Sequence, residues 1–267
     1  IFLGIRKTGG YVFNTKKNTE KDIPDTLLPL FFGYSGDIYC KHSKTVKQNS
    51  TPSKYDTLFR YIIANDTVEF CMEIPSRYYN DRVSSPDKRY YGYSIEEDSI
   101  DSIRYVILDT KRERLYQTQT YFYDAKITSD GYILTSEPDG YLKLRKVTDF
   151  TVIDKSLSRT SQIKAISPDG QYAIVYPDNS DVMELWGIHP LRYLSSHTCP
   201  IFSYSGVKIF FKEDGKSVIV FPDIYNIDGR ILHGQMQIPS QQEIIEAARE
   251  RANGRKLTEE EKNLLME

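Results

Sequence analysis

Cysteine is scarce: Cys40, Cys71 and Cys199 are the only three in 267 residues. An odd count with no repeated spacing excludes a disulfide framework and predicts reduced thiols, as in a cytosol. Net charge is equally low. Thirty-five basic residues against 37 acidic ones leave −2, so no whole-chain field draws the protein to polyanions, and nucleic acid is not an expected partner. No window approaches the roughly 18 uncharged apolar residues of a membrane span. No basic segment followed by an apolar one opens the chain, as a secretory signal would. A cytoplasmic location without a membrane partner is the expectation. The chain also lacks an initial methionine: "IFLGIRKTGGYVF" starts directly in a strand-like run, which predicts a module of something longer.

What the sequence does have is aromatic and β-branched material, with 21 tyrosines leading, a composition that leans to strand. Short acidic turns recur: "SPDK" to Lys88, "TSDG" to Gly131, "SPDG" to Gly170 and "KEDG" to Gly215. Their aspartates, Asp87, Asp130, Asp169 and Asp214, are spaced by 43, 39 and 45 residues. Strand-like runs separate them. After Gly170 come "QYAIVYP", "VMELWGI" and "LRYLSSH"; after Gly131 come "YILTS", "YLKLRKV" and "FTVIDKS". Each unit therefore has one strand entering the turn and three leaving it, and four antiparallel strands per period of about 40 is the arithmetic of a propeller blade. Asp-Gly suits such turns because Gly adopts positive φ without steric penalty; the expectation is a two-residue hairpin with both central residues at positive φ.

These units resemble WD-repeat blades. "ELWGI" around Trp186 is similar to the Trp-Asp step that ends the family's third strand, with Gly187 in the place of Asp. "KLRKV" and "RYVILDT" depart further, and the usual Gly-His pair near a blade start is missing. The resemblance covers Asp81 to Ile238 and implies an all-β propeller of four-stranded antiparallel blades. Before Asp81, "LFFGYSGDIYCKH" reads as a hairpin about Ser35 and Gly36, and "LFRYIIAND" with "TVEFCMEIP" as another about Asn65 and Asp66. The expected total is five to six blades over residues 1–238.

A helical tail is expected over residues 239–267. Ser240 with Glu243, and Thr258 with Glu261, form S/T-x-x-E capping boxes, and Gly254 suits a helix C-terminus. The tail's "GR-x-LT-x-EE" core resembles the segment following the C-terminal propeller in bacterial signal-transduction ATPases with numerous domains, often of the NACHT type. That resemblance implies a sensor module whose partners are a protein ligand or other domains of the same parent chain. A gating propeller attached to a hydrolase, such as a serine peptidase, is the alternative.

No catalytic constellation emerges, and no cofactor is expected. "EDGKS" lacks the first glycine of a phosphate loop, because Phe210 stands there. "GYSG" at Gly33–Gly36 falls one residue short of a nucleophile elbow. Cys40 with His42, and His197 with Cys199, offer zinc-type donors at i, i+2, but structural zinc usually has tighter Cys-x₂₋₄-Cys spacing, so no metal is expected. The strongest binding candidate is the basic and aromatic stretch "PSRYYNDRVSSPDKRYYGYS". Within it Arg77, Tyr78, Tyr79, Arg82, Tyr90 and Tyr91 combine the side chains that anchor protein interfaces. The same tyrosines also suit ordinary strands.

Overall fold

The computed structural model describes residues 2–6, 9–14, 17–24, 26–42, 55–75, 80–96, 103–159, 162–177, 182–198, 208–215, 217–221 and 234–237. No described residue is helical. The two helices expected beyond residue 239, with their capping boxes and the domain boundary before them, lie outside the described residues.

The chain divides into two compact units, Ile1–Phe122 with Lys146–Phe150, and Tyr123–Arg145 with Thr151–Glu267. In the first unit, β1 (Phe2–Arg6), β2 (Gly9–Asn14) and β3 (Thr19–Asp22) make a three-stranded sheet. The opening strand-like run is thus a hairpin of two strands. Next, β4 (Leu27–Phe32), β5 (Ile38–His42), β6 (Tyr55–Ile62) and β7 (Thr67–Pro75) pair in chain order. The third sheet comprises β8 (Asn80–Ser84), β9 (Tyr90–Glu96), β10 (Ile103–Asp109) and β11 (Arg114–Thr118).

The second unit repeats the plan. Its sheets are β12 (Asp124–Ile127) to β15 (Val152–Arg159), with β13 (Tyr132–Ser136) and β14 (Tyr141–Lys146) between them, and then β16 (Gln162–Ile166), β17 (Tyr172–Tyr176), β18 (Val182–Gly187) and β19 (Arg192–Thr198). A three-stranded sheet of β20 (Lys208–Phe211), β21 (Ser217–Phe221) and β22 (Gly234–Gln237) follows. Six antiparallel sheets are described, four of them four-stranded, in line with the expected five to six blades. In the units carrying the turns at Asp87, Asp130 and Asp169, one strand enters the turn and three leave it, as the repeat predicted.

Within each unit the sheets pack face on face. Strand β17 shows how: Ala173 and Val175 join a buried cluster with Leu134, Leu142 and Trp186, while Ile174 and Tyr176 join another with Ile209 and Val218. Successive side chains on a strand point to opposite faces. One strand therefore supplies two cores, and its sequence is apolar throughout instead of alternating. The first unit is built alike, with Phe31, Tyr39, Tyr91, Tyr93 and Leu108 in one cluster and Val12, Ile23, Ile38 and Tyr61 in a second.

The acidic turns differ from the expected two-residue hairpin. In "SPDG", Gly170 N–H donates to Ser167 O at 2.9 Å, and only Gly170 has positive φ, 73°. Asp169 is not left-handed. This is a type I turn followed by one left-handed residue, in which Pro168 supplies the fixed φ that the second position prefers. The aspartate contributes through its carboxylate instead. Ser167 Oγ donates to Asp169 Oδ1 at 2.5 Å and accepts from Tyr172 N–H at 2.9 Å. The "SPDK" turn matches it bond for bond, with Ser85 Oγ to Asp87 at 2.6 Å and Tyr90 N–H to Ser85 Oγ at 2.9 Å. Thr128, Asp130 and Tyr132 repeat the arrangement. Lys88 takes the left-handed place at φ 64°.

Candidate functional site

Three turns of the first unit converge and present a basic and aromatic face. Thr110 ties them together. Its N–H donates to Arg89 O at 2.8 Å, and its hydroxyl lies within hydrogen-bond reach of both Lys88 O and Arg89 O, at 3.1 and 2.9 Å. The same oxygen accepts Tyr34 N–H at 3.0 Å, and Thr110 O accepts the Tyr39 hydroxyl at 3.2 Å. The turn Gly33–Gly36, closed by Gly36 N–H to Gly33 O at 3.0 Å with Gly36 at φ 83°, is a further member of the repeat. Gly33 is required there because a Cβ would collide with the Tyr39 ring.

Beneath this face lies a charge pair. Asp109 is fully buried and grips Arg89 through two bonds, Nη2 to Oδ2 at 2.9 Å and Nε to Oδ1 at 3.2 Å. This raises the Arg89 pKa, chiefly through the hydrogen bonds to Asp109. Asp109 Oδ1 also accepts the N–H groups of Lys111 and Arg112, at 3.0 and 3.1 Å. One carboxylate thus fixes both the preceding turn and the backbone that carries the next two cations.

Above it, the Tyr34 ring is half exposed and the Lys111 ammonium sits 4.6 Å from its centroid. Lys88, Lys111 and Arg112 are exposed. On one flank Arg60 bridges Glu69 at 2.6 Å and Glu113 at 2.8 Å. The face offers a rigidly backed aromatic ring among cations, the chemistry that receives carboxylates and apolar side chains of a protein partner.

The expected binding residues fare differently. Arg77, Tyr78 and Tyr79 lie outside the described residues, as does the side chain of Arg82, whose backbone is in β8. Tyr90 and Tyr91 are only 4% and 7% exposed. Tyr91 stacks on Phe31 with centroids 3.6 Å apart, and the Arg89 guanidinium lies 4.6 Å over Tyr90. Both rings are enclosed in the packing of their sheet. Tyr34, Lys111 and Arg112 were not singled out from sequence; the available signal was "GYSG" read as another turn of the repeat.

Ser35 of "GYSG" donates to Asp37 at 2.6 Å, and Asp214 of "EDGKS" accepts Ser217 N–H at 3.1 Å. Both are turns. Of the zinc-type pairs, Cys40 is buried in the first unit with its thiol 3.8 Å from Ile38 O, and His197 Nε2 lies 3.3 Å from Ser195 Oγ in the second. The His42 side chain and Cys199 lie outside the described residues. Among the described residues no three His, Cys, Asp or Glu side chains gather as a metal site would require.

Burial pushes the Cys40 thiol from 9.0 up to about 12 and, as the main cause, Cys71 up to about 11. Native protein at pH 8 should therefore resist iodoacetamide at both thiols while denatured protein reacts, as mass-spectrometric peptide mapping would show. The same shifts stabilise the fold below pH 9, where both states keep their protons. That contribution falls as pH rises through 9 toward 12, because the unfolded chain ionises first. Prompt native alkylation of Cys40 at pH 8 would contradict its burial.

No family model matches the sequence, and no curated protein does. Solved structures do. The chain is similar to a structure of the Dos1 propeller, with TM-score 0.48 and 12% identity over 79% of this chain and 59% of that one. It is also similar to Hsv2 of Kluyvelomyces marxianus, with TM-score 0.51 and 12% identity over 88% of this chain and 81% of that one. The chain thus spans about three fifths of the first structure's length. At this identity the likeness speaks for fold alone, and with the repeated four-stranded antiparallel sheets it makes the protein an all-β β-propeller.

Proposed function

We propose that this propeller is a non-catalytic protein-recognition module, and that the face built from Tyr34, Lys88, Lys111 and Arg112 is where a partner docks. The observation that carries the reading is the Thr110 junction. It holds three turns together by hydrogen bonds and leaves an aromatic ring and three cations outward. Preorganised loops lower the ordering cost of association, and cations around the ring favour an acidic partner surface. The resemblance of the "GR-x-LT-x-EE" segment to the tails of bacterial signalling ATPases supports a sensor or autoinhibitory role, with the partner a protein ligand or a neighbouring domain of the parent chain. In such a device a ligand moves the switch only by binding its two states with different affinity.

Photo-crosslinking tests the site. With p-benzoylphenylalanine at position 34, we expect a discrete protein adduct that fades with added salt and with Lys111→Glu. The same probe at Leu157, which is fully exposed in the second unit, should give none. Equal adducts at both positions, or indifference to Lys111→Glu, would refute the docking face.

A further inference from the structure

We propose that the first sheet of the first unit takes a fourth strand from a protein partner: an extended segment, apolar at alternate positions and basic at one end, that covers Val68 and Phe70. This sheet ends at β3, its edge strand, and the chain goes on to β4 through residues 23–26. That link is too short for a turn and another strand. In the second unit the outermost strands of neighbouring four-stranded sheets, β15 and β19, pack against each other. Among the described residues, β7 of the second sheet has no such counterpart in the first.

The register places the missing strand over β7. Tyr61 pairs with Val68 and Phe59 with Phe70, and directly opposed residues share a face. The inner member of each pair is covered: Tyr61 is buried in the cluster of Val12, Ile23 and Ile38, and Phe59 packs against it. On β3, Lys21 stands opposite Val12. Its ammonium lies 5.7 Å from the Tyr61 ring centroid and donates to Ile63 O at 3.0 Å. Strand β3 therefore lies over β6, and a strand added beyond β3 would lie over β7. There the outer members of the two pairs are exposed, Val68 by 43% and Phe70 by 65%, and covering adjacent apolar side chains is favourable. Further along the same face comes Glu73, opposite Thr57 and exposed. No ion pair engages Glu73 among the described residues, whereas Asp66 has Lys21 and Glu69, on the other face, has Arg60. A basic side chain on the incoming segment complements Glu73. Docking by the β7 of a second copy would bring two more glutamates to it instead. An extended backbone is the form that pairs with the edge of β3 while setting alternate side chains on β7. Because Glu69 and the Arg60 bridge lie on the opposite face of β7, this surface is separate from the docking face and does not depend on it.

The test is fluorescence polarisation of the whole chain with a labelled synthetic peptide in which valine alternates with threonine and lysines close one end. One control peptide has the same composition with its valines clustered, and another carries glutamate in place of lysine. Saturable binding of the first peptide is expected, roughly tenfold tighter than either control. Phe70→Ser should weaken it by roughly tenfold or more, as loss of an aromatic anchor does, and Glu73→Lys should reverse the preference between the lysine and glutamate peptides. Amide exchange along β3 should slow when the peptide is bound, a change that adhesion to the apolar patch alone does not produce. If Phe70→Ser does not fold, Val68→Ser takes its place and should also weaken binding. Equal binding of the control peptides, or an unchanged affinity in the Phe70 variant, would overturn the proposal. So would a dimer in sedimentation that Phe70→Ser dissolves, which assigns the face to a second copy, or a large drop in melting temperature on Phe70→Ser with no peptide bound by the wild type, which assigns it to the chain itself.

Discussion

Asp109→Ala is expected to destabilise the protein by about 3 kcal/mol, the lower end of the range for removing one partner of a buried ion pair. The lower end applies because Arg89 keeps 18% of its side chain exposed and can recruit some water, whereas Asp109 is fully enclosed. The loss has two physical parts: an unpaired guanidinium, and the Lys111 and Arg112 N–H groups deprived of their acceptor. Asp109→Asn separates them, since it keeps an acceptor and removes the charge, and it should fall between wild type and alanine. For a chain of this size about 3 kcal/mol corresponds to a melting temperature lower by roughly 6–12 °C. Chemical denaturation is the measurement. A difference under 1 kcal/mol between Asp109→Ala and wild type would mean that the pair does not hold these turns.

Asp109 also shows where sequence reading stops. The repeat of acidic turns placed the strands of three four-stranded sheets because turn chemistry is local: a hydroxyl, an aspartate and a left-handed residue lie within a few positions. The pairing of Asp109 with Arg89 spans 20 residues and follows no spacing rule, so "RYVILDT" reads only as a departure from the Trp-Asp pattern. The turn at Gly33–Gly36 escaped the count because Ser35 occupies the aspartate's place and the bonding partner is Asp37. The tyrosine stretch was ambiguous for a different cause. In β9 both faces are covered, so the alternation that separates inward from outward residues is absent and adjacent Tyr90 and Tyr91 are both enclosed.

That ambiguity has a decisive experiment, because Tyr34 and Tyr91 make opposite predictions. Tyr91 lies flat on Phe31 within the cluster that includes Tyr39, Tyr93 and Leu108. Truncating a buried aromatic removes its transfer free energy and leaves a cavity that close-packed neighbours only partly fill. Tyr91→Ala should therefore cost about 3–5 kcal/mol. Tyr34 is half exposed and its ring meets Lys111, so Tyr34→Ala should change stability by no more than about 1 kcal/mol, roughly the limit for an exposed cation–π contact. Its effect belongs in partner binding, where an aromatic anchor commonly contributes about 2 kcal/mol or more. Denaturation curves and partner crosslinking through p-benzoylphenylalanine placed at the exposed position 88, measured on both variants, give four numbers. If Tyr91→Ala melts like wild type yet loses the partner, Tyr91 is a recognition residue and the sheet must open to present it. If it unfolds early, and its adducts vanish only in proportion to the folded fraction, the tyrosines of β9 are structural and recognition belongs to the turns above them.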